Sequence, residues 1–228
     1  MDNNRVAYIK LGSVSPQVGM CIKSAFNLLY YGSEVWNGRN TRWLGFPVYQ
    51  NPCDMWVMQE ILFETRPDVL IECGSGCGGS ALFYVSVWPG HVISIDNQME
   101  MTVELEHERI EFVTASSTDE WTVRQVKEAV KGKRVMVYLD SDHHPINVLR
   151  ELETWGSVVS EGCYMVVHDT NLNGRPIPNA IHPGLEGLDP AAAVDEFLKK
   201  HLEFKADRER EKFMLTFSPG GFLKKETV

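Results

Sequence analysis

The pattern of apolar and polar positions changes character near residue 68. Upstream, Val18–Tyr31 carries Met20, Phe26, Leu29 and Tyr30 at spacings that predict a helix. Gly32–Thr41 is polar and predicts a loop. Trp43-Leu44-Gly45-Phe46-Pro47-Val48-Tyr49 is aromatic and apolar, and reads as a short strand or a lid. Asn51-Pro52 has the form of a helix start, an Asn cap with Pro in the first turn. That helix carries Met55, Trp56, Met58, Ile61 and Leu62 and is expected to stop before Arg66-Pro67.

Downstream, short apolar runs alternate with helical patterns. Asp68–Glu72, Val92–Asp96, the weaker Arg109–Val113, Val135–Asp140 and Tyr164–Asp169 predict strands. Gly79–Val87, Glu120–Val130 and Asn147–Val158 predict the helices between them. This alternation, with runs apolar on both faces, predicts an α/β domain whose parallel sheet is joined by crossover helices. Ala191–His201 predicts one more helix, and Phe204–Arg208 with Lys212–Phe217 a last strand pair. Pro219-Gly220-Gly221 is expected to end that pair in a turn. The organisation expected is an N-terminal helical extension and substrate lid over residues 1–50, then one catalytic-type domain over residues 51–228.

Composition narrows the function. The 228 residues are 43% hydrophobic and 23% charged, ordinary for a soluble globular domain. The net charge of −9, with no Lys/Arg-rich run, argues against a nucleic-acid partner. No apolar stretch approaches the ~20 residues of a membrane span. The start of the chain lacks a basic-then-apolar leader pattern. The cysteines are scattered without a C-x-x-C pair, which argues against a disulfide framework or a structural zinc site. The cytoplasm is the expected location.

Two groups of residues carry candidate chemistry. The first is Glu72-Cys73-Gly74-Ser75-Gly76-Cys77-Gly78-Gly79-Ser80, which follows the first strand and opens a helix. Glycines there allow a tight turn and close approach of a nucleotide cofactor to the backbone. Gly74, Gly76 and Gly79 satisfy the G-x-G-x-x-G spacing, which taken alone fits a nicotinamide dinucleotide or a mere strand-to-helix turn. Glu72 before the glycines would repel a pyrophosphate and attract a cationic amino or sulfonium group. Asp96, at the end of the second strand, is placed to accept from ribose hydroxyls. Together they favour S-adenosylmethionine over NAD.

The second group lies at the ends of the fourth and fifth strands, in Leu139-Asp140-Ser141-Asp142-His143-His144 and Val167-His168-Asp169-Thr170-Asn171. If these strands are parallel neighbours ~4.8 Å apart, Asp140 and Asp169 emerge at one sheet edge and could share an ion. Such oxygen ligands suit Mg²⁺. Asp142 reads equally as a helix cap, His144 as an exposed loop residue and His168 as a buried, hydrogen-bonded histidine.

These stretches, with Arg210-Glu211-Lys212-Phe213-x-Leu215-Thr216-Phe217, Trp43-Leu44-Gly45 and Pro52-x-Asp54-x-Trp56, resemble the cephalosporin hydroxylase / rhamnosyl O-methyltransferase family over roughly residues 40–225. Despite its name, that family consists of class I S-adenosylmethionine-dependent methyltransferases. The resemblance implies a Rossmann-like fold with a mostly parallel seven-stranded sheet and a divalent metal, usually Mg²⁺. It implies Asp140 and Asp169 as metal ligands and His168, in a position the family often fills with Glu, as the candidate third ligand. Metal-dependent catechol-type methyltransferases are similar in placing a base three positions after the first acid, which here is His143. The acceptor implied is a small molecule with a sugar or cephem hydroxyl.

The expected reaction is in-line transfer of a methyl group to that hydroxyl. The metal on Asp140 and Asp169 lowers the hydroxyl pKa, and His143, with an unperturbed pKa of about 6.5, accepts the proton. Glu72, Gly74, Ser75, Gly76, Ser80, Asp96 and Asp140 hold the cofactor, and Ser116 or Ser117 reaches the adenine. Trp36, Trp43 and Tyr49 form a substrate lid, with Trp43 reading equally as core packing. A homo-oligomer is expected. Two other classes stay open: an NAD-dependent oxidoreductase, and a non-catalytic S-adenosylmethionine-binding protein that has lost its metal.

Overall fold

A computed structural model describes residues 14–37, 40–99, 105–172 and 188–226. Residues 1–13 of the expected extension and Asn173-Gly174 lie outside the described residues, as does the side chain of Trp36. Helix α1 (Pro16–Gly32) starts where the Ser15 hydroxyl accepts from the Val18 N–H, and α2 (Glu34–Asn37) follows. Strands β1 (Arg42–Trp43) and β2 (Phe46–Pro47) pair antiparallel around Leu44 and Gly45, both at positive φ. Helix α3 (Pro52–Thr65) starts at Asn51, whose side chain accepts from the Cys53 N–H. It ends at Arg66 in the left-handed region, before a proline that cannot continue it.

The sheet follows. Its elements in chain order are β3 (Val69–Cys73), α4 (Gly79–Val87), β4 (His91–Asp96), β5 (Ile110–Thr114), α5 (Glu120–Ala129), β6 (Val135–Leu139), α6 (Pro145–Trp155), β7 (Tyr164–Val167), α7 (Pro190–Lys200), β8 (Phe204–Ala206) and β9 (Phe222–Lys225). The strand order is β5-β4-β3-β6-β7-β9-β8. The first five are parallel, β9 is antiparallel to β7, and β8 is antiparallel to β9. This is the expected mostly parallel seven-stranded sheet flanked by helices.

Every residue of β3, β6 and β7 is buried, which is why these strands read as unbroken apolar runs. Leu70, Ile71, Met136, Val137, Met165 and Val166 are fully inside. Truncating Leu70, Ile71, Met136 or Met165 to Ala costs ~2–5 kcal/mol, because the packed layers cannot collapse on the space. The chain reverses its winding at β3, with β4 on one side and β6 on the other. In open α/β sheets the crevice at that switch point, outside the carboxyl ends of the strands, is where ligands bind.

The last strand differs from expectation. Lys212–Phe217 is not a strand; Arg208–Glu211 is a 3-10 turn, and the strand lies after Pro219-Gly220-Gly221 rather than before it. The alternation Phe213, Leu215, Phe217 imitates a strand, but other partners take its backbone groups. The Asp54 carboxylate accepts the Phe217 N–H at 2.7 Å, and Asn51 donates to the Leu215 carbonyl at 3.2 Å. Gly221 carries β9 past β7 so closely that a Cβ would sit 2.2 Å from the Val167 carbonyl oxygen.

Candidate active site

A cleft of about 730 Å³ opens over the carboxyl ends of the parallel strands. That volume is in the range of small-molecule sites. Gly74, Ser75, Gly76 and Ser80 line it from the glycine loop, Asp96 from the end of β4, and Ser116 and Ser117 from the loop after β5. Asp140, His143 and Asp169 line it from the ends of β6 and β7. Both expected groups of residues therefore meet in one cavity.

The glycine loop is shaped by its own packing. Gly74 has φ +98°, and a Cβ there would lie 2.0 Å from the Asp140 carbonyl oxygen. A Cβ on Gly79 would lie 2.1 Å from the Pro47 carbonyl oxygen. Gly76 is different: at φ +48° its missing Cβ would meet nothing within 4 Å. Two of the three glycines in the G-x-G-x-x-G spacing thus answer to neighbouring backbone, which weakens it as a dinucleotide signature. Asp96 fixes the loop, its carboxylate accepting from the Gly76 N–H at 2.9 Å and the Gln98 N–H at 2.8 Å.

The acid cluster follows from sheet register. Leu139 pairs with Val167, so Asp140 and His168 leave β6 and β7 side by side. Asp169 then adopts φ +55°, a left-handed conformation that Asp tolerates better than most residues. Its Oδ2 lies 2.9 Å from His143 Nε2 and 3.3 Å from His168 Nδ1. Asp140 Oδ1 lies 3.0 Å from His168 Nδ1 and 3.6 Å from His143 Nε2. The His143–Asp169 contact is an ion pair rather than an aligned hydrogen bond. One ligand atom each from Asp140, His143 and Asp169 falls within 4.8 Å of the others, a spacing that can hold a metal ion.

Charge in this cluster is strongly coupled. Burial works against the Asp169 anion, but the imidazoles of His168 and His143 outweigh it and hold the pKa far below the carboxylate range. Asp140 is lowered in the same way, burial opposing and His168 prevailing. Burial favours neutral His143, yet Asp169 and Asp140 lift its pKa to about 10. His168 is likewise raised, against its burial, by Asp140 and then Asp169. The ordinary pKa expected for His143 thus does not hold in this structure. Two carboxylates face two imidazoles, and the site calls for about the positive charge of one divalent cation. The donor set and its charge fit such an ion.

Two expected contacts are placed differently. Glu72 does not reach the cleft wall: it is fully buried beneath the loop and accepts from Ser94, whose hydroxyl lies 2.6 Å from that of Ser75. Strand alternation turns its side chain into the sheet layer. Burial pushes its pKa to about 7 although the Ser80 and Ser94 hydroxyls oppose this. His168 also lies behind the cleft with no exposed side-chain surface, packed edge-on to Phe217 and tilted against Tyr138. His143, not His168, joins the two acids on the open side. Of the expected lid, Tyr49 lines the cleft, whereas Trp43 turns away, packing on Phe83 and donating to Ser86.

Sequence reasoning missed three side chains here. Gln50 donates to Asp140 Oδ2 at 2.5 Å, Tyr31 donates to Asp169 Oδ1 at 3.2 Å, and Glu151, which itself lines the cleft, accepts from Ser117 and Ser141. Only position hints at Gln50, just before the Asn51 cap; Tyr31 and Glu151 look like ordinary members of helical patterns.

Residues 35–226 match the family model described as Rhamnosyl O-methyltransferase/CmcI. The chain belongs to that family. It is 35% identical over 215 residues to the Rhamnosyl O-methyltransferase of Mycobacterium tuberculosis (strain ATCC 25618 / H37Rv), covering 89% of this chain and 84% of the relative. It is 34% identical over 216 residues to that of Mycobacterium leprae (strain TN), covering 89% and 90%. Among solved structures, a CmcI structure with Mg and SAM superposes with TM-score 0.60 at 18% identity, covering 82% of this chain and 77% of the other. MycE methyltransferase from the mycinamycin biosynthetic pathway, with Mg and SAH, gives TM-score 0.53 at 18% identity, covering 86% and 54%. These two likenesses concern the fold. No helix among the described residues is long and apolar enough to cross a membrane.

Proposed function

We propose that this protein is an S-adenosylmethionine-dependent, divalent-metal-assisted O-methyltransferase acting on a hydroxyl of a sugar or glycosylated small molecule. The observation that carries the reading is that the glycine loop and the Asp140–Asp169 acid pair open on one cleft. The rhamnosyl O-methyltransferase relatives, matched over most of their length, support the sugar acceptor. The net charge of −9 supports an enzyme without a nucleic-acid partner, and the free cysteines Cys21, Cys53, Cys73, Cys77 and Cys163 support the reducing cytoplasm as its location.

Gly74, Ser75, Gly76, Ser80, Asp96, Ser116 and Ser117 hold the cofactor, with Asp96 accepting from its ribose through lone pairs left over from the loop N–H groups. Glu72 acts from below, ordering the loop through Ser94 and Ser75. S-adenosylmethionine supplies an activated methyl group on a cationic sulfur. Asp140 and Asp169 hold the metal, with His168 buttressing both acids from behind. A divalent cation held by these acids would supply the positive charge that the imidazoles now provide and would act as a Lewis acid toward an acceptor hydroxyl. His143 faces the cleft beside both acids and takes the hydroxyl proton at Nε2 in its neutral form. The segment from the β1–β2 hairpin to Gln50 borders the opening and shapes the acceptor side.

The test is incubation with methyl-labelled S-adenosylmethionine, Mg²⁺ and a panel of rhamnosides and other deoxysugar glycosides. Label transferred to a sugar hydroxyl supports the reading. No transfer to any glycoside, with a nicotinamide dinucleotide binding in the cleft instead, overturns it.

A further inference from the structure

Each acid of the cluster divides its two oxygens between different kinds of partner. Asp140 Oδ1 and Asp169 Oδ2 face the imidazoles of His143 and His168. The other two oxygens, Asp140 Oδ2 and Asp169 Oδ1, accept from Gln50 Nε2 at 2.5 Å and from the Tyr31 hydroxyl at 3.2 Å. Both donors precede the sheet in the chain, and both are buried. Resting on the metal reading above, we infer that Tyr31 and Gln50 are positioning residues: they fix the rotation of the two strand-end carboxylates so that one oxygen of each stays turned toward the ion.

The donors are themselves held. Gln50 Oε1 accepts from the Tyr138 hydroxyl at 2.7 Å, which orients the amide with Nε2 toward Asp140. Its backbone carbonyl accepts from Tyr30 at 3.1 Å. The Tyr31 hydroxyl accepts from Asn171 Nδ2 at 3.3 Å, and its ring stacks on Phe217 with centroids 4.8 Å apart. Phe217 is pinned to Asp54 through its N–H. A chain of contacts thus runs from the start of α3, through the loop before β9, to α1 and onto Asp169.

The neutrality of both donors matters. A lysine or arginine at either place would satisfy the charge of its acid and compete with a cation. An amide and a phenol orient the carboxylate and leave its charge available. Donors outside a ligand set typically change metal affinity by 10–100-fold when removed. The N-terminal segment on this account completes the acid site as well as bordering the cleft.

The experiment is titration of Mn²⁺ into the full-length protein, read by paramagnetic resonance, for wild type, Tyr31→Phe, Gln50→Met and Tyr164→Phe. Tyr31→Phe keeps the stack on Phe217 and removes only the hydroxyl; Gln50→Met keeps length and donates nothing. Tyr164→Phe removes a hydroxyl that donates to Asp207, a carboxylate outside the cluster, at 2.6 Å. Tyr31→Phe and Gln50→Met are expected to weaken Mn²⁺ binding roughly tenfold. S-adenosylmethionine affinity is expected to stay near wild type in both, and Tyr164→Phe to bind Mn²⁺ as wild type does. If Gln50→Met does not fold, the Tyr31 arm decides. Mn²⁺ affinity within twofold of wild type in Tyr31→Phe or in folded Gln50→Met, or an equal loss in Tyr164→Phe, overturns the inference and leaves the metal reading standing. Wild type that binds no Mn²⁺ overturns the metal reading, and the inference with it.

Discussion

His143 Nε2 lies 2.9 Å from Asp169 Oδ2, linking the loop after β6 to the end of β7. Sheet register creates the contact: Leu139 beside Val167 brings the two strand ends together, and the left-handed turn at Asp169 swings its carboxylate toward the loop. The strain of that turn, at a residue that also accepts from Tyr31, is typical of a site whose geometry serves chemistry.

His143→Ala is expected to lower methyl-transfer turnover by roughly 10²–10⁴, the usual scale for losing a general base. The S-adenosylmethionine dissociation constant, measured by calorimetry, is expected to stay within a small factor of wild type. A turnover change of only a few-fold would assign His143 to loop packing.

The glycine loop predicts a ranking in stability. Gly76→Ala meets open space and carries only the left-handed backbone penalty, roughly 1–2 kcal/mol. Gly74→Ala adds a collision with the Asp140 and Ser141 backbone and is expected to lose clearly more in urea unfolding. Equal losses would mean that β6 gives way to the added methyl group without cost.

Asp96→Ala removes the anchor of the Gly76 and Gln98 N–H groups as well as the proposed ribose contacts. Hydrogen bonds to a charged group contribute ~1.5–3 kcal/mol each, so S-adenosylmethionine affinity is expected to fall roughly 10–100-fold. Calorimetric titration that finds no change would move the ribose away from β4.

Glu72 gives a pH prediction. Its folded pKa of about 7 stands above the ordinary glutamate value because burial disfavours the anion. The folded state therefore binds more protons than the unfolded state between about pH 4.3 and 7. Stability from this group is full below the unfolded pKa and is lost as pH rises through the folded one. Glu72→Gln is expected to remove that loss, roughly 2–4 kcal/mol, and to be more stable than wild type at pH 8 in urea unfolding without ligand. Parallel stability–pH curves for the two proteins would contradict the buried-anion account.

The sheet was legible because Val69–Cys73 and Val135–Leu139 are buried on both faces and so read as continuous apolar runs. Asp140 and Asp169 were legible because each directly follows or nearly follows such a run. The rest depends on contacts distant in sequence. Gln50 meets Asp140, and Tyr31 meets Asp169, only after the sheet has folded, and nothing local marks either residue. Glu72 was read as a cleft residue from its place beside the glycines, but strand alternation points it inward. Phe213, Leu215 and Phe217 alternate like a strand, yet Asp54 and Asn51 claim the backbone of that stretch.

The most direct measurement is methyl transfer to a rhamnoside by wild type and Asp140→Asn, with and without a chelator. The account predicts that the chelator abolishes wild-type turnover and that Mg²⁺ or Mn²⁺ restores it. Asp140→Asn is predicted to bind S-adenosylmethionine normally but to lose divalent-metal affinity and turnover together. Wild-type turnover indifferent to the chelator, with Asp140→Asn as active as wild type, would contradict the metal-assisted mechanism.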